Sequence, residues 1–270
     1  YSNFQAVLSL IGSGGLGGSL NAAGAAASGF AQVNAFLSEA YGGVLPTIEL
    51  AANALFNNIK LGRLNAGDTL TGSSTRNFIH GGSGDDTIIA SGGSDVLDGG
   101  IDNDTVSYAG SGSINVTIKE AASPLTYVGF VNADGLDALF NIEKIVGSGS
   151  DDSFIIQSFS SSLQTLELDG GGGEDTLSTF YVPGDTIFNT ISNSLSVGGK
   201  SLTIRNFEKL EGGSGNDRFI VNGTVKSLDG RDGRDYADFS LSQSAVVVGK
   251  SGGVEIKNIE VVYGSAQGDE

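Results

Sequence analysis

Between Gly81 and Ser107 the chain repeats itself every nine residues, reading GGSGDDTII, ASGGSDVLD and GGIDNDTVS back to back. The shared pattern is G-G-x-G-x-D-x-U-x, where U is a large apolar residue, and it leaves little choice of fold. A glycine-rich hexapeptide turns tightly and directs its carbonyls inward, and the three residues after it make a short strand whose middle side chain faces a core. Those middle side chains are Ile88, Leu97 and Val106. Two such rungs on opposite sides complete one turn of a flattened solenoid, so loops 18 residues apart stack, at the roughly 4.8 Å spacing of neighbouring strands.

The sixth position is an aspartate in all three units: Asp86, Asp95 and Asp104. Stacking puts Asp86 and Asp104 in neighbouring loops on one edge and Asp95 on the other. A hard divalent cation takes about 6–8 oxygens at about 2.3–2.6 Å, which two stacked Gly-Asp loops can supply from carboxylates and carbonyls. Calcium is therefore the expected cofactor, as several ions bridging turns. Its ligands are expected to be Asp86, Asp95 and Asp104 with the carbonyls of Gly81, Gly82, Gly84, Gly99 and Gly100. Asp102 is a further candidate, and Asp85 and Asp98 add to the local field.

GGSGDDTII and GGIDNDTVS resemble the nonapeptides of the repeats-in-toxin (RTX, hemolysin-type calcium-binding) family. That resemblance implies a right-handed parallel β-roll with calcium in its loops, and export from Gram-negative bacteria through a type I channel. It extends from Arg63 to Glu270 with varying fidelity and says nothing about residues 1–62. The offset of the sixth position locates degenerate copies. RLNAGDTLT offers Asp68, and GSSTRNFIH offers Asn77, a weaker neutral ligand. GSGSDDSFI offers Asp152, GGGGEDTLS offers Asp175, GGSGNDRFI offers Asp217 and GRDGRDYAD offers Asp235. VNGTVKSLD carries Lys226 at this position, a cation where a ligand should stand, so that corner is expected to be free of calcium.

A longer period overlies the short one. NIEKIVGSGSDDSF, NFEKLEGGSGNDRF and NIEVVYGSAQGDE begin at Asn141, Asn206 and Asn258. The modules are read as 63–146, 147–211 and 212–263, with a fourth begun at 264–270 that ends on Asp269, the last candidate ligand. A chain that stops inside a repeat reads as a piece of a longer array. Between the rungs, SINVTI (113–118), SLSVGGKSLTI (194–204, with Gly198-Gly199 as a turn) and SAVVVGKSGGVEI (244–256) alternate apolar and polar residues, as longer rungs or hairpins do. DALFNIEKIV (137–146) reads as strand by analogy with the other modules.

Residues 1–62 differ in kind, with Glu39, Glu49 and Lys60 as their only charges. Phe4, Val7, Leu8 and Ile11, then Val33, Phe36, Leu37, Ala40 and Tyr41, then Ile48, Ala52, Leu55 and Ile59 fall at helical spacing. Between the first two, the glycine-rich stretch 12–29 reads either as a flexible linker or as a small-residue packing surface. A helical cap on the open end of the roll is the expectation, since solenoid ends need covering. Membrane insertion is not expected, because the small-residue stretch has too few large apolar residues to span a bilayer. The expected fold class is thus mainly β, a parallel β-roll or β-solenoid with calcium-binding loops, plus a small N-terminal α-helical segment.

The chain has 43 glycines, no cysteine and a net charge of −17. Its 20 aspartates against 11 glutamates suit tight ion loops better than a helical surface. The apo chain repels itself, and short glycine-rich rungs bury little apolar area against a high backbone entropy. Metal binding must then supply much of the folding free energy, leaving the rungs largely unfolded at low calcium. The acidic balance argues against a nucleic-acid partner. His80 is the only histidine, so no HExxH zinc site can be assembled and a serine triad would have to be built on that one residue; His80 is read as an exposed loop residue and the chain as a non-enzyme. Its expected role is structural or adhesive, in a secreted protein at the bacterial surface, with self-association or a cell-surface or matrix ligand as partner. The alternatives are the secretion and folding module of an RTX enzyme or toxin, and a self-assembling surface-layer or filament subunit.

Overall fold

Nine-residue spacing sends consecutive strands to alternate sides of the molecule. Thr69–Thr71, Thr87–Ile89 and Thr105–Ser107 pair in parallel in one sheet, while Phe78–Ser83 and Val96–Ile101 pair in parallel in the other. The computed structural model describes residues 59–63, 66–119, 128–132, 135–158, 166–249 and 253–269. Lys60–Glu270 form one compact unit. The described residues form two sheets of eleven strands each and no helix. The helical spacings and the glycine-rich stretch read in residues 1–58 lie outside those residues. Ile59, read as the last apolar position of a helix, instead opens the strand Ile59–Leu61, which pairs beside Phe78–Ser83.

Parallel registry makes the apolar position of each rung stack on itself. In the sheet of Thr87–Ile89, the column Leu70, Ile88, Val106, Ile145, Leu168, Ile204 runs from strand to strand. In the other sheet Val116, Phe154, Leu177, Leu210, Leu228 and Ile256 do the same. Ile88, Leu97 and Val106, the expected inward residues, are fully buried. Phe188 and Phe219 stack with ring centroids 4.9 Å apart, and Phe154 meets Phe207 edge-on at 5.2 Å.

Two antiparallel meanders interrupt the parallel coil, one in each sheet. Asn115–Lys119, Val128–Asn132 and Leu136–Phe140 form the first; Thr186–Asn189, Ser194–Val197 and Lys200–Arg205 form the second. Each meander ends beside a strand that preceded it and leaves its first strand as the platform for the next parallel rung. Leu136–Phe140 pairs with Val96–Ile101, whereas Asn115–Lys119 pairs with Ser153–Ile156. One meander per sheet keeps the two strand numbers equal. Gly198 and Gly199 make the expected hairpin turn with φ of +57° and +78°, the mirror-image turn that suits strand twist.

The segment 137–146 is strand, as expected, but it is broken by a corner at Asn141-Ile142-Glu143 between Leu136–Phe140 and Lys144–Val146. The stretch 244–256 forms no antiparallel hairpin among its described residues: Val248 and Val254 make an isolated parallel bridge before the strand Glu255–Lys257. His80 is not an exposed loop residue. It lies in the strand Phe78–Ser83, its side chain is 15% exposed, and its Nδ1 stands 3.1 Å from Asp98, because Phe78–Ser83 continues straight into the first glycines of its corner.

Candidate metal centre

The corners between the sheets carry a ladder of carboxylates. On one edge the Asp68 N–H donates to Asp86 Oδ1 (2.7 Å), and the Asp86 N–H donates to Asp104 Oδ1 (2.8 Å). Asp95 lies in a corner on the opposite edge, where its Oδ1 accepts from the Asn77 N–H at 2.6 Å. Two further ladders repeat the arrangement. The Ile114 N–H donates to Asp152 Oδ1 and the Asp152 N–H to Asp175 Oδ1; the Thr186 N–H donates to Asp217 Oδ1 and the Asp217 N–H to Asp235 Oδ1. Each of these accepting carboxylates therefore spends one oxygen on the backbone of the preceding turn, which fixes the height of the corners relative to each other.

The second oxygen divides the aspartates into two groups. Asp68, Asp152 and Asp217, which open their ladders, turn Oδ2 back onto the N–H of the second residue of their own corner: Arg63, Ser148 and Gly213. In Asp86, Asp95, Asp104, Asp175 and Asp235 the Oδ2 is buried with no hydrogen-bond partner, although these residues are 0–1% exposed. A buried carboxylate oxygen left unpaired costs on the order of 1–3 kcal/mol or more. Burial pushes these groups up from the ordinary value of 3.8, Asp104 and Asp175 to about 7 and Asp235 to about 6, and Asp86 and Asp95 in the same direction. The fold holds anions in a place that disfavours charge.

A backbone carbonyl faces the unpaired oxygen of Asp86. A Cβ added to Gly81 would collide with both Asp86 Oδ2 and the Gly99 carbonyl oxygen, so those two atoms converge over the first glycine of the corner. Gly147 stands in the same way beneath the Gly170 carbonyl and Asp152 Oδ2, an oxygen that already accepts the Ser148 N–H. Gly82, Gly84 and Gly100 have φ of +113°, +101° and +109°, which only glycine adopts without strain. Among the described residues no three Asp, Glu or His side chains converge, so an ion held in such a corner draws most of its oxygens from the backbone.

Three corners have another construction. Asn141, Asn206 and Asn258 take φ of +50°, +54° and +50°. Each donates its side-chain amide to the aspartate of a Leu-Asp pair in the neighbouring strand, at 2.7 Å to Asp98, 2.7 Å to Asp169 and 2.8 Å to Asp229. Two residues on, Glu143, Glu208 and Glu260 accept the N–H of Asp104, Asp175 and Asp235 at 2.8, 3.0 and 2.7 Å. These glutamates hold the rung of the ladder that a further aspartate would hold. The Asn-(Ile/Phe)-Glu repeat is thus a corner; its position directly before a strand, where the sixth-position aspartates also stand, is the sequence signal for it. Asp137 is missed by the sequence reading. It closes the ladder of Asn77 and Asp95, accepting the Asp95 N–H at 2.8 Å and the Tyr108 hydroxyl at 2.9 Å.

The remaining candidates stand apart from the unpaired oxygens. Asp68 is paired with Arg63 through Nε and Nη2, both at 2.6 Å, and that hydrogen bonding holds its carboxyl below the ordinary range. Asp102 is exposed at the corner's tip, where its Oδ2 accepts the Gly84 N–H at 2.9 Å. Asp269 is exposed and accepts from the Val246 N–H and the Ser265 hydroxyl. Asn77 closes its own corner by donating its amide to the carbonyls of Ser73 and Thr75. Lys226 points outward to Glu174.

A family model for the RTX calcium-binding nonapeptide repeat matches residues 67–106 in four copies. Residues 67–106 are RTX repeats. No curated protein gives a significant match to the chain. RTX repeats bind calcium and are typical of secreted, extracellular proteins, so this segment is a calcium-binding β-roll. The residues fit the ion: a buried unpaired carboxylate oxygen and a facing carbonyl meet at the RTX corner that ends in Asp86. Calcium held there would supply positive charge to the buried carboxylate.

Proposed function

We propose that the chain is a calcium-folded β-roll of a secreted bacterial surface protein, structural or adhesive in role, that stays unfolded in a low-calcium cytoplasm and folds after type I export. The observation that carries this reading is the set of five buried, unpartnered aspartate oxygens spread along both edges of the coil. A chain with a net charge of −17 and buried anions gains stability from a cation in the folded state alone, by mass action. The aromatic pair Phe180 and Tyr181, 49% and 57% exposed with Arg231 over the Phe180 ring, gives the roll an outward apolar contact of the kind an adhesive surface uses.

Far-UV circular dichroism of the purified chain through a calcium titration, with magnesium as control, tests the folding part. A coil-to-β transition specific to calcium is expected. A chain fully β in chelator and indifferent to calcium would sink the reading.

A further inference from the structure

The Asn-x-Glu corners lie outside the nonapeptide pattern, yet each faces one of the unpaired aspartate oxygens. From Asp98 to Thr105 the RTX corner uses six residues, 99–104, whereas from Phe140 to Lys144, the residues registered against those two, the chain uses three, 141–143. The same contrast holds for 170–175 against 206–208 and for 230–235 against 258–260. The short corner has lost the glycine arm but kept one carbonyl in place. A Cβ on Gly99 would collide with the Asn141 carbonyl oxygen and with Asp104 Oδ2, as one on Gly81 collides with the Gly99 carbonyl and Asp86 Oδ2. Gly170 stands in the same relation to Asn206 and Asp175, and Gly230 to Asn258 and Asp235.

We infer that each Asn-x-Glu corner completes a terminal calcium site, built from the unpaired Oδ2 of Asp104, Asp175 or Asp235 and the backbone carbonyl of Asn141, Asn206 or Asn258. The left-handed asparagine is what aims that carbonyl. The amide of Asn141 is tied to Asp98 of the adjacent strand, and Glu143, two residues on, takes the N–H of Asp104, so the corner is held at both ends around the Asn141 carbonyl. All three aspartates are 0–1% exposed, and in all three Oδ2 lacks a partner, whereas the aspartates that open the ladders in the same modules satisfy Oδ2 within their own corner. Unpaired oxygens at the closing end and paired ones at the opening end, three times over, match a ligand that sits beyond the last RTX corner. The inference rests on the calcium reading of the RTX corners and extends it to residues outside the repeat.

Crystals of the full chain grown in calcium, measured at long wavelength for the anomalous signal of calcium, decide it. Peaks are expected between Asp104 and Asn141, Asp175 and Asn206, and Asp235 and Asn258, besides those between paired RTX corners. Peaks confined to paired RTX corners overturn the inference and leave the calcium reading intact; no peaks at all overturn both. In solution, native mass spectrometry of Asn206→Val, whose β-branched side chain resists positive φ, should show one ion fewer than the parent chain, and Asn206→Gly should restore it. Unchanged ion number in a folded Asn206→Val overturns the site at Asn206.

Discussion

The corner ending in Asn77 and the corner ending in Asp95 stack on one edge of the coil, and they solve the same problem by opposite means. A tight turn gathers carbonyls that need positive partners. Asn77 provides its own, donating its amide to the carbonyls of Ser73 and Thr75. Asp95 offers a second acceptor, Oδ2, and leaves it buried and unpaired. One corner satisfies its carbonyls with its own amide; the other leaves a buried carboxylate oxygen for which a cation would be the partner. On the calcium-folding reading proposed above, a change of amide to carboxylate at one position moves a corner from unconditional to conditional folding.

Chelation gives the largest expected effect and breaks the comparison outright if it fails. With calcium removed, the corners at Asp86, Asp95, Asp104, Asp175 and Asp235 lose their charge balance together, and most of the β signal in circular dichroism should disappear and return on adding calcium. Retention of the full signal in chelator would mean that the two kinds of corner are energetically alike. Next in size is Phe219→Ala. Phe219 is fully buried and stacked on Phe188, so its loss costs about 3–5 kcal/mol, and it should lower the thermal midpoint in saturating calcium. The ion number of the folded variant should not change, which separates core packing from metal binding.

Asp86→Ala sharpens the comparison at a single corner. It removes the unpaired oxygen and also the acceptor of the Asp68 N–H. A charged hydrogen bond contributes about 1.5–3 kcal/mol, so the calcium midpoint should rise roughly tenfold or more. Asn77→Ala should destabilise the folded chain modestly while leaving the calcium midpoint in place. A calcium shift from Asn77→Ala equal to that from Asp86→Ala would erase the distinction between the corners.

Much of this was legible in the sequence, for a physical reason. The parallel coil, the inward residues Ile88, Leu97 and Val106, and the edge assignment of Asp86, Asp95 and Asp104 all derive from a strict nine-residue period, because period fixes register in a stacked fold. The meanders were half legible. Gly198-Gly199 announced its turn through the need for positive φ, but nothing local says that Leu136–Phe140 returns to pair with Val96–Ile101, since that pairing is set by which strand edge is open. Asp137 and the glutamates Glu143, Glu208 and Glu260 were illegible as ladder members, because they lie 42, 39, 33 and 25 residues from their donors and so break the period that made the others visible. His80 was misplaced because the strand runs on into Gly81 and Gly82, residues that read as loop.

Acidity tests the conditional corners without metal. Burial raises Asp104 and Asp175 to about 7 and Asp137 to about 7 in the folded chain, against an ordinary value of 3.8. A carboxyl whose folded value is raised stabilises the fold when protonated, and that contribution is lost as pH rises from about 4 through about 7. In chelator, therefore, residual β structure should increase as pH is lowered from about 8 to about 5. No change, or a loss, would show that these carboxylates are not what holds the apo chain unfolded.

The smallest effect is expected at Lys226, and there a null result carries the information. Its Nζ pairs with Glu174, which also meets Lys209 at 3.2 Å, and exposed pairs of this kind contribute little. The corner 221–226 buries Val221 and Val225 and closes itself by the Thr224 hydroxyl donating to Asn222 Oδ1 at 2.6 Å. It belongs with the Asn77 corner, complete without a cation. Lys226→Ala should leave both calcium midpoint and ion number unchanged, and so should Lys226→Asp, because a carboxylate alone does not restore the glycine arm whose carbonyls the ion needs. One extra ion in Lys226→Asp would show that the sixth position by itself decides whether a corner takes calcium.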